Sequence, residues 1–526
     1  MLYSHYFAKI RVISDYSMKF TINDKPNAAA LKKIDVLLLP VWIDKSGKTV
    51  VWGEMFGMLG KSDQKLVKLA VESRKPKAGN SGLVRLNGFP GHAMVAADTA
   101  FTEKKLTLLV RRLVRTAKAE GFKSIGIYAD DFERNNVEAE RFCALVSGNA
   151  LYAHYDFSEQ YKTPPTEGWC NVSSIILFTY HEEKRCVASA SIGETMAGEI
   201  NRCRTLANYP PSDLKPEGMA EAARTVANEI KTVKVTVFDE KKLKQEGMNA
   251  ILAVGTGSAS APRLVIMEYS GGKKGERPLA LIGKGVTFDS GGLNLKPGEH
   301  MADMHMDMSG GAAVIYAIAA IAKLKLPVNV IGFIPAVENM VSGLSYRQGD
   351  IVKAYGGKTI EIGNTDAEGR VILADAIEYA KTKKPILMVE ISTLTGAAEV
   401  ALGQRVAALF VKNNKPLQDA LQAIGDESGD YVWPMPLWDE HEKDIEGNLA
   451  DTINTHKTGN RWGGAITGAA FLSKFAGETP FAHIDMAPRM LTLPEEENLS
   501  RGAAGFGVRF FVTLATKWSE VQKLVK

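Results

Sequence analysis

PLALIGKGVTFDSGGLNLKP, residues 278–297, opens as an apolar run and closes among glycines with Lys284, Asp289 and Lys296. Such a run reads as a strand buried on both faces, the kind that fills parallel sheets. Working outward, strand patterns recur at KVTVF (234–238), PRLVIMEY (262–269), VNVIGFIP (328–335) and PILMVEIS (385–392). Helical patterns lie between them at GAAVIYAIAAIAKL (311–324) and ILADAIEYAKT (372–382). Alternation of this type predicts an α/β unit with a mostly parallel central sheet, whose ligands bind at the strand ends. Upstream, DVLLLPVWI (35–43), KSIGIYADD (123–131) and VSSIILFTY (172–180) read as strands, and helical spacing marks 105–118 and 137–146. These make a first, smaller α/β unit. Residues 188–208 carry no strand signal and stop at Pro210, Pro211 and Pro216, as a connecting helix would. The expected domains are 1–184, a linker helix at 185–208, and 209–526.

The 526 residues are 45% hydrophobic and 24% charged, an ordinary globular balance that excludes collagen-like and disordered classes. Sixty-four basic against sixty acidic residues leave a net charge of +4, too little for a nucleic-acid footprint by charge alone. Four cysteines at 143, 170, 186 and 203 form no CxxC pair and read as reduced thiols. No window approaches the ~20 uninterrupted apolar residues of a membrane span, since Lys323, Lys325 and Pro335 break the longest candidates. The N-terminal MLYSHYFAKIRVISDYS lacks a cleavable apolar core, so the expected location is the cytosol, with a weak organellar presequence as the lesser reading.

Three segments carry chemistry: GKGVTFDSGGLNLKP (283–297), MHMDMSGGAA (304–313) and NTDAEGR (364–370). Taken alone, Asp289 reads as a turn cap and Asp307 as a helix N-cap as readily as a ligand. Asp366, Glu368 and Arg370 are expected in one extended turn, all facing one way. Asn364, Asp366, Glu368, Gly369 and Asp375 also fall at EF-hand loop positions, but the strand pattern KTIEIG (358–363) precedes them where an EF-hand needs a helix. Together Asp289, Asp307, Asp366 and Glu368 bring four negative charges, matching two divalent cations. Carboxylate and amine ligands without cysteine suit Zn, Mn, Mg or Co, and a pair of such ions serves hydrolysis.

In combination, GKGVTFDSGG, the downstream Lys296, MDMSGGAA and NTDAEGR resemble the signature of the leucyl aminopeptidase family of dinuclear metallopeptidases. LANYPPSDLKP (206–216), GGAITGAAFLSKF (463–475) and FAHIDMAPRM (481–490) extend the resemblance across the C-terminal unit. It implies a macro-domain-like N-terminal α/β domain linked by a helix to the catalytic domain. It further implies that Lys284, Asp289, Asp307, Asp366 and Glu368 hold two metals, with Asp289 and Glu368 bridging and Lys284 neutral. Lys296 is then the oxyanion donor, and Arg370 holds a bicarbonate that serves as general base. Met304, Asn364, Thr393, Gly396, Ala487 and Met490 match the wall of the pocket for the N-terminal side chain, and the Leu394 carbonyl holds the peptide. The implied activity is release of leucine or similar residues from short peptides by a homohexamer of two trimers. The competing expectation is a nucleic-acid- or nucleotide-binding protein in which peptidase activity is secondary.

Overall fold

Each apolar run above becomes a strand in the computed structural model, which describes residues 18–525 except 25, 75, 76, 136 and 167. The presequence reading falls on residues 1–17, outside those described. The described chain folds as two units. One comprises residues up to Gly198 together with Thr492–Arg501, and the other Glu199–Leu491 and Gly502 onward. The boundary falls within the helix Glu183–Asn208.

The first unit holds β1 (Lys19–Asn23), β2 (Val36–Ile43), β3 (Thr49–Trp52), β4 (Asn80–Arg85), β5 (His92–Asp98), β6 (Ser124–Tyr128) and β7 (Ser174–Phe178). Their order is β1-β7-β6-β2-β5-β4, with β3 beside β2. All eight residues of β2 are buried, which explains its unbroken apolar run. The helix Glu103–Ala119 buries Leu106, Leu109, Val110, Leu113, Val114 and Ala117, a stripe at helical spacing.

The second unit holds β8 (Val233–Phe238), β9 (Arg263–Ser270), β10 (Leu279–Gly283), β11 (Gly285–Asp289), β12 (Asn329–Asn339), β13 (Ile351–Lys353) and β14 (Thr359–Glu361). It continues with β15 (Leu387–Ser392), β16 (Ala407–Val411), β17 (Val432–Pro434), β18 (Thr452–Ile453) and β19 (Phe481–Asp485). The main sheet runs β17-β16-β19-β15-β10-β12-β9-β8, with β11 beside β12, and β13-β14-β18 form a small second sheet. Its centre is parallel: β19 with β15, β15 with β10, and β10 with β12. The mostly parallel α/β expectation therefore holds.

Two helices set the site against this sheet. Ser309–Lys323 is buried from Ser309 to Ala322, so the long apolar stretch Gly298–Lys323, apolar enough for a membrane by composition, faces the core over 89% of its window. Its N-terminus approaches the strands through glycines. A Cβ on Gly310 would lie 2.2 Å from the Ile391 carbonyl oxygen, and one on Gly283 would lie 2.4 Å from that of Gly310. Glu368–Lys381 is buried nearly all round, so its first turn is held by the packing of Val371, Ile372, Leu373 and Ala374.

That second helix corrects one expectation. Glu368 and Arg370 are not part of an extended turn but lie on the helix's first turn, where residues two apart point to different sides. Strand β14 precedes Asn364, so there is no EF-hand. Asp375 instead accepts the backbone N–H groups of Ile251 (2.9 Å) and Tyr355 (2.7 Å). Burial raises its pKa to about 7. The four cysteines are free.

Candidate metal centre

The parallel strands end at one place. Strand β10 stops at Gly283, and Lys284 interrupts the run: its N–H donates to the Ile391 carbonyl at 3.3 Å, while its own carbonyl accepts from Gly311 N–H at 2.7 Å. The chain then resumes as β11 against β12 and delivers Asp289 at its end. Asp307 lies between the short 3₁₀ turn Met304–Met306 and the helix at Ser309. It is no N-cap, because its carboxylate accepts from the Thr393 hydroxyl at 2.7 Å, just beyond β15.

Two lysines and four carboxylates interlock there. Lys284 Nζ is 2.7 Å from Asp307 Oδ2 and 2.7 Å from Glu368 Oε1, and it donates to the Thr393 carbonyl at 3.2 Å. Lys296 Nζ is 2.9 Å from Asp289 Oδ2 and 2.5 Å from Asp366 Oδ1. One carboxylate oxygen from each of Asp289, Asp366 and Glu368 falls within 4.8 Å of the others. Glu368 thus belongs to both groupings. Lys284, Asp289, Asp307 and Glu368 are each buried, and Asp366 is half-buried.

Crowded, buried carboxyls make added positive charge favourable here. Burial raises the Asp289, Asp307 and Asp366 carboxyls above their ordinary range; neighbouring carboxylates raise them further, and the lysines oppose the shift. Burial by itself would lower Lys284, but Asp307, Glu368 and Asp289 outweigh it and hold the ammonium well above the usual lysine range. Lys296 is raised in the same way, against its own burial, by Asp289, Glu368 and Asp366. Four carboxylates against two ammoniums leave two negative charges. Asp307 Oδ2, Asp366 Oδ1 and Glu368 Oε1 have close ammonium neighbours but no well-angled hydrogen bond. A donor set of oxygen and amine ligands, rich in buried negative charge, fits hard or borderline divalent cations.

Glycines make the crowding possible. Gly291 has φ +88°, and an added Cβ would lie 2.9 Å from Asp366 Oδ1. On Gly369 it would lie 2.6 Å from Lys284 Cε. The turn cap expected of Asp289 is also present, its Oδ1 accepting Gly291 N–H at 2.9 Å, so the cap and the cluster coexist.

Among the described residues, the Arg370 side chain hydrogen-bonds to backbone, not to the carboxylates. It is buried and donates to the Asn454 carbonyl at 3.0 Å, and its Nε has no hydrogen-bond partner among the described residues. Burial lowers its pKa to about 10, with Glu368 and Asp485 opposing. An Arg with a free, buried N–H suits a small anion.

Of the expected pocket-wall residues, Met304, Asn364 and Thr393 bond directly to residues of this cluster. Asn364 accepts Asp366 N–H at 2.8 Å, and Met304 O accepts Asp307 N–H at 3.4 Å. Thr393 bonds Asp307, as above. Leu394 N–H and Ala487 N–H both donate to Asp485 Oδ1, at 3.1 and 3.2 Å. Gly396 opens the helix Gly396–Leu402 and has nothing within 4 Å of a Cβ position. Met490 follows the turn Ala487–Arg489, donating to the Ala487 carbonyl at 3.4 Å, and is tied to the carboxylates by no direct contact.

The sequence reading passes over the residues that hold these loops. Asp485 accepts from the Thr395 hydroxyl at 2.6 Å besides the two amides above. Asn454 accepts Gly363 N–H at 2.7 Å and donates to the Asn364 carbonyl at 2.7 Å, fixing the NTDAEGR loop. Asn339 donates to Asp289 Oδ1 at 2.8 Å and to the Thr365 carbonyl at 2.9 Å. Asp485 and Asn339 end strands just as Asp289 does, which is the signal that marks them.

Residues 201–512 match the catalytic domain of the cytosol aminopeptidase family. The chain belongs to that family. A probable cytosol aminopeptidase of Chlorobaculum parvum is 46% identical over 390 residues, 73% of this chain and 76% of the relative. One from Syntrophotalea carbinolica is 46% identical over 311 residues, 59% of this chain, and the match spans 62% of that relative, less than two thirds of its length. Among solved structures, the bottromycin maturation enzyme BotP is similar with a TM-score of 0.78 and 28% identity, over 93% of this chain and 100% of that one.

Proposed function

We propose that this chain is a metal-dependent aminopeptidase that removes leucine or a similar apolar residue from the N-terminus of short peptides. The observation that carries the reading is the largely buried cluster of Asp289, Asp307, Asp366 and Glu368, within a chain of the cytosol aminopeptidase family. Lys284, Asp289, Asp307, Asp366 and Glu368 hold two divalent ions, Zn or else Mn, Mg or Co. When bound, these ions supply an activated water and polarise the scissile carbonyl.

The remaining steps belong to side chains. Lys284 would hold metal as the neutral amine, its proton released to solvent, since two cations would reverse the electrostatic balance that otherwise charges it. Lys296 donates from its ammonium to the oxyanion that develops on the carbonyl. Arg370, through its unpartnered N–H, would hold a bicarbonate, which would supply a general base for the reaction. Met304, Asn364, Thr393, Gly396, Ala487 and Met490 enclose the substrate's first side chain, while the Leu394 carbonyl accepts from the peptide. The bound ions would also favour substrates with a free α-amino group.

We assign the domains as 1–184, the joining helix 185–208 and the catalytic 209–526, with Thr492–Arg501 packing in the N-terminal unit. The assembly proposed is a cytoplasmic homohexamer of two trimers, with active sites facing an interior cavity that admits short peptides. Nothing in the described residues favours the nucleic-acid-binding alternative.

The direct test offers the metal-loaded protein Leu-Gly-Gly and its N-acetylated form and follows products by mass spectrometry. Leucine should appear from the free peptide alone. Comparable cleavage of the acetylated peptide would refute the exopeptidase reading.

A further inference from the structure

Glu390 and His483 stand opposite each other on β15 and β19, both with no exposed side-chain surface, and Glu390 Oε2 contacts His483 Nδ1. Phe410 stacks on the imidazole, with ring centroids 5.5 Å apart and planes at 16°. Glu390 Oε1 and His483 Nε2 have no hydrogen-bond partner among the described residues. Around them the sheet is filled with Met388, Val389, Ile391, Ala482 and Ile484, all fully buried. A buried carboxyl–imidazole pair in such surroundings is often less stabilising than an apolar replacement, so stability alone does not account for it.

Its position along the strands supplies a reason. Side chains alternate, so the next pair on the same face is Ser392 and Asp485, again directly opposite each other. Asp485 is the acceptor that holds Leu394 N–H, the Thr395 hydroxyl and Ala487 N–H. Its charge also reaches Arg370. A slip of one residue between β15 and β19 would carry Asp485 to the other face and release both loops. The Glu390–His483 contact is available in only one register, two residues below the loops it protects.

We propose that Glu390 and His483 are positioning residues for peptide binding, locking β15 and β19 in the register that sets Asp485 beneath the Thr393–Gly396 loop. The inference rests on the aminopeptidase reading above for its catalytic readout, but not for its structural one.

The test uses the full, metal-loaded chain. Glu390→Gln keeps the shape and replaces the carboxyl by an amide, and His483→Gln is measured in the same way should the first variant fail to fold. Metal content should be unchanged, KM for leucine amide should rise about tenfold and kcat should stay within about threefold. Segments 393–396 and 485–487 should exchange backbone hydrogen faster by mass spectrometry. The double variant should cost no more than either single one, because the pair acts as a unit. A merely structural pair would lower the melting temperature and leave KM alone. Unchanged exchange in these segments, unchanged KM, or additive losses in the double variant would each overturn the proposal. If the wild-type chain does not hydrolyse leucine amide, that failure falls on the aminopeptidase reading, and the exchange rates alone decide the positioning role.

Discussion

Lys296→Ala is expected to lower kcat by about a hundredfold or more, the usual loss when an oxyanion donor is removed. The Lys296 ammonium is placed between Asp289 and Asp366 at 2.9 and 2.5 Å, at the open side of the cluster, with its side chain 14% exposed. That location lets it face both the carboxylates and an arriving carbonyl. Because it brings positive charge to a site proposed to bind cations, its removal should leave metal content intact or slightly tighten binding. KM for leucine amide should change far less than kcat, since the interaction strengthens only as charge develops on oxygen. A variant with unchanged kcat, measured at full metal loading, would strip Lys296 of this role.

The second large effect is expected at Asp366, whose substitution should act on the metal itself. Its carboxylate is one of the three that converge within 4.8 Å, and the Asn364 side chain orients its backbone at 2.8 Å. Residues that merely support ligands cost about 10–100-fold in metal affinity when altered, so loss of a ligand should exceed about a hundredfold. Asp366→Ala should therefore show reduced occupancy by elemental analysis, with activity falling in parallel and partly returning at high metal concentration. The cluster would also keep the Lys296 ammonium with one carboxylate fewer, so the fold should survive, as a thermal melt can verify. Full occupancy in the variant would remove Asp366 from the ligand set.

The roles expected of Lys296 and Asp366, several residues past their strands, come from the family resemblance, whereas charge at the end of an apolar strand has few uses other than a turn or a ligand. Lys284, Asp289 and the strand Leu387–Ser392 leading to Thr393 follow the same rule, and the structure brings them together. The periodicity also identified the parallel sheet, since strands buried on both faces must read as continuous apolar runs. What it misjudged was the NTDAEGR segment, where polar residues and a glycine resemble an extended turn. Tertiary packing of Val371 to Ala374 instead draws Glu368 into a helix, separating it from Arg370. Asn454 was illegible for a different reason. It acts by side-chain bonds to backbone 90 and 91 residues away, and no local pattern encodes such a partner. The same holds for Gly369, whose missing side chain makes room for Lys284 from a distant strand.

The proposed dinuclear centre is best tested by dialysing the protein against a chelator, then adding Mn or Zn stepwise while measuring bound metal and leucine amide hydrolysis. Activity should vanish on chelation and return as the content approaches two ions per chain. Full hydrolysis by metal-free protein, or metal binding that restores no cleavage of any N-terminal residue, would contradict the account.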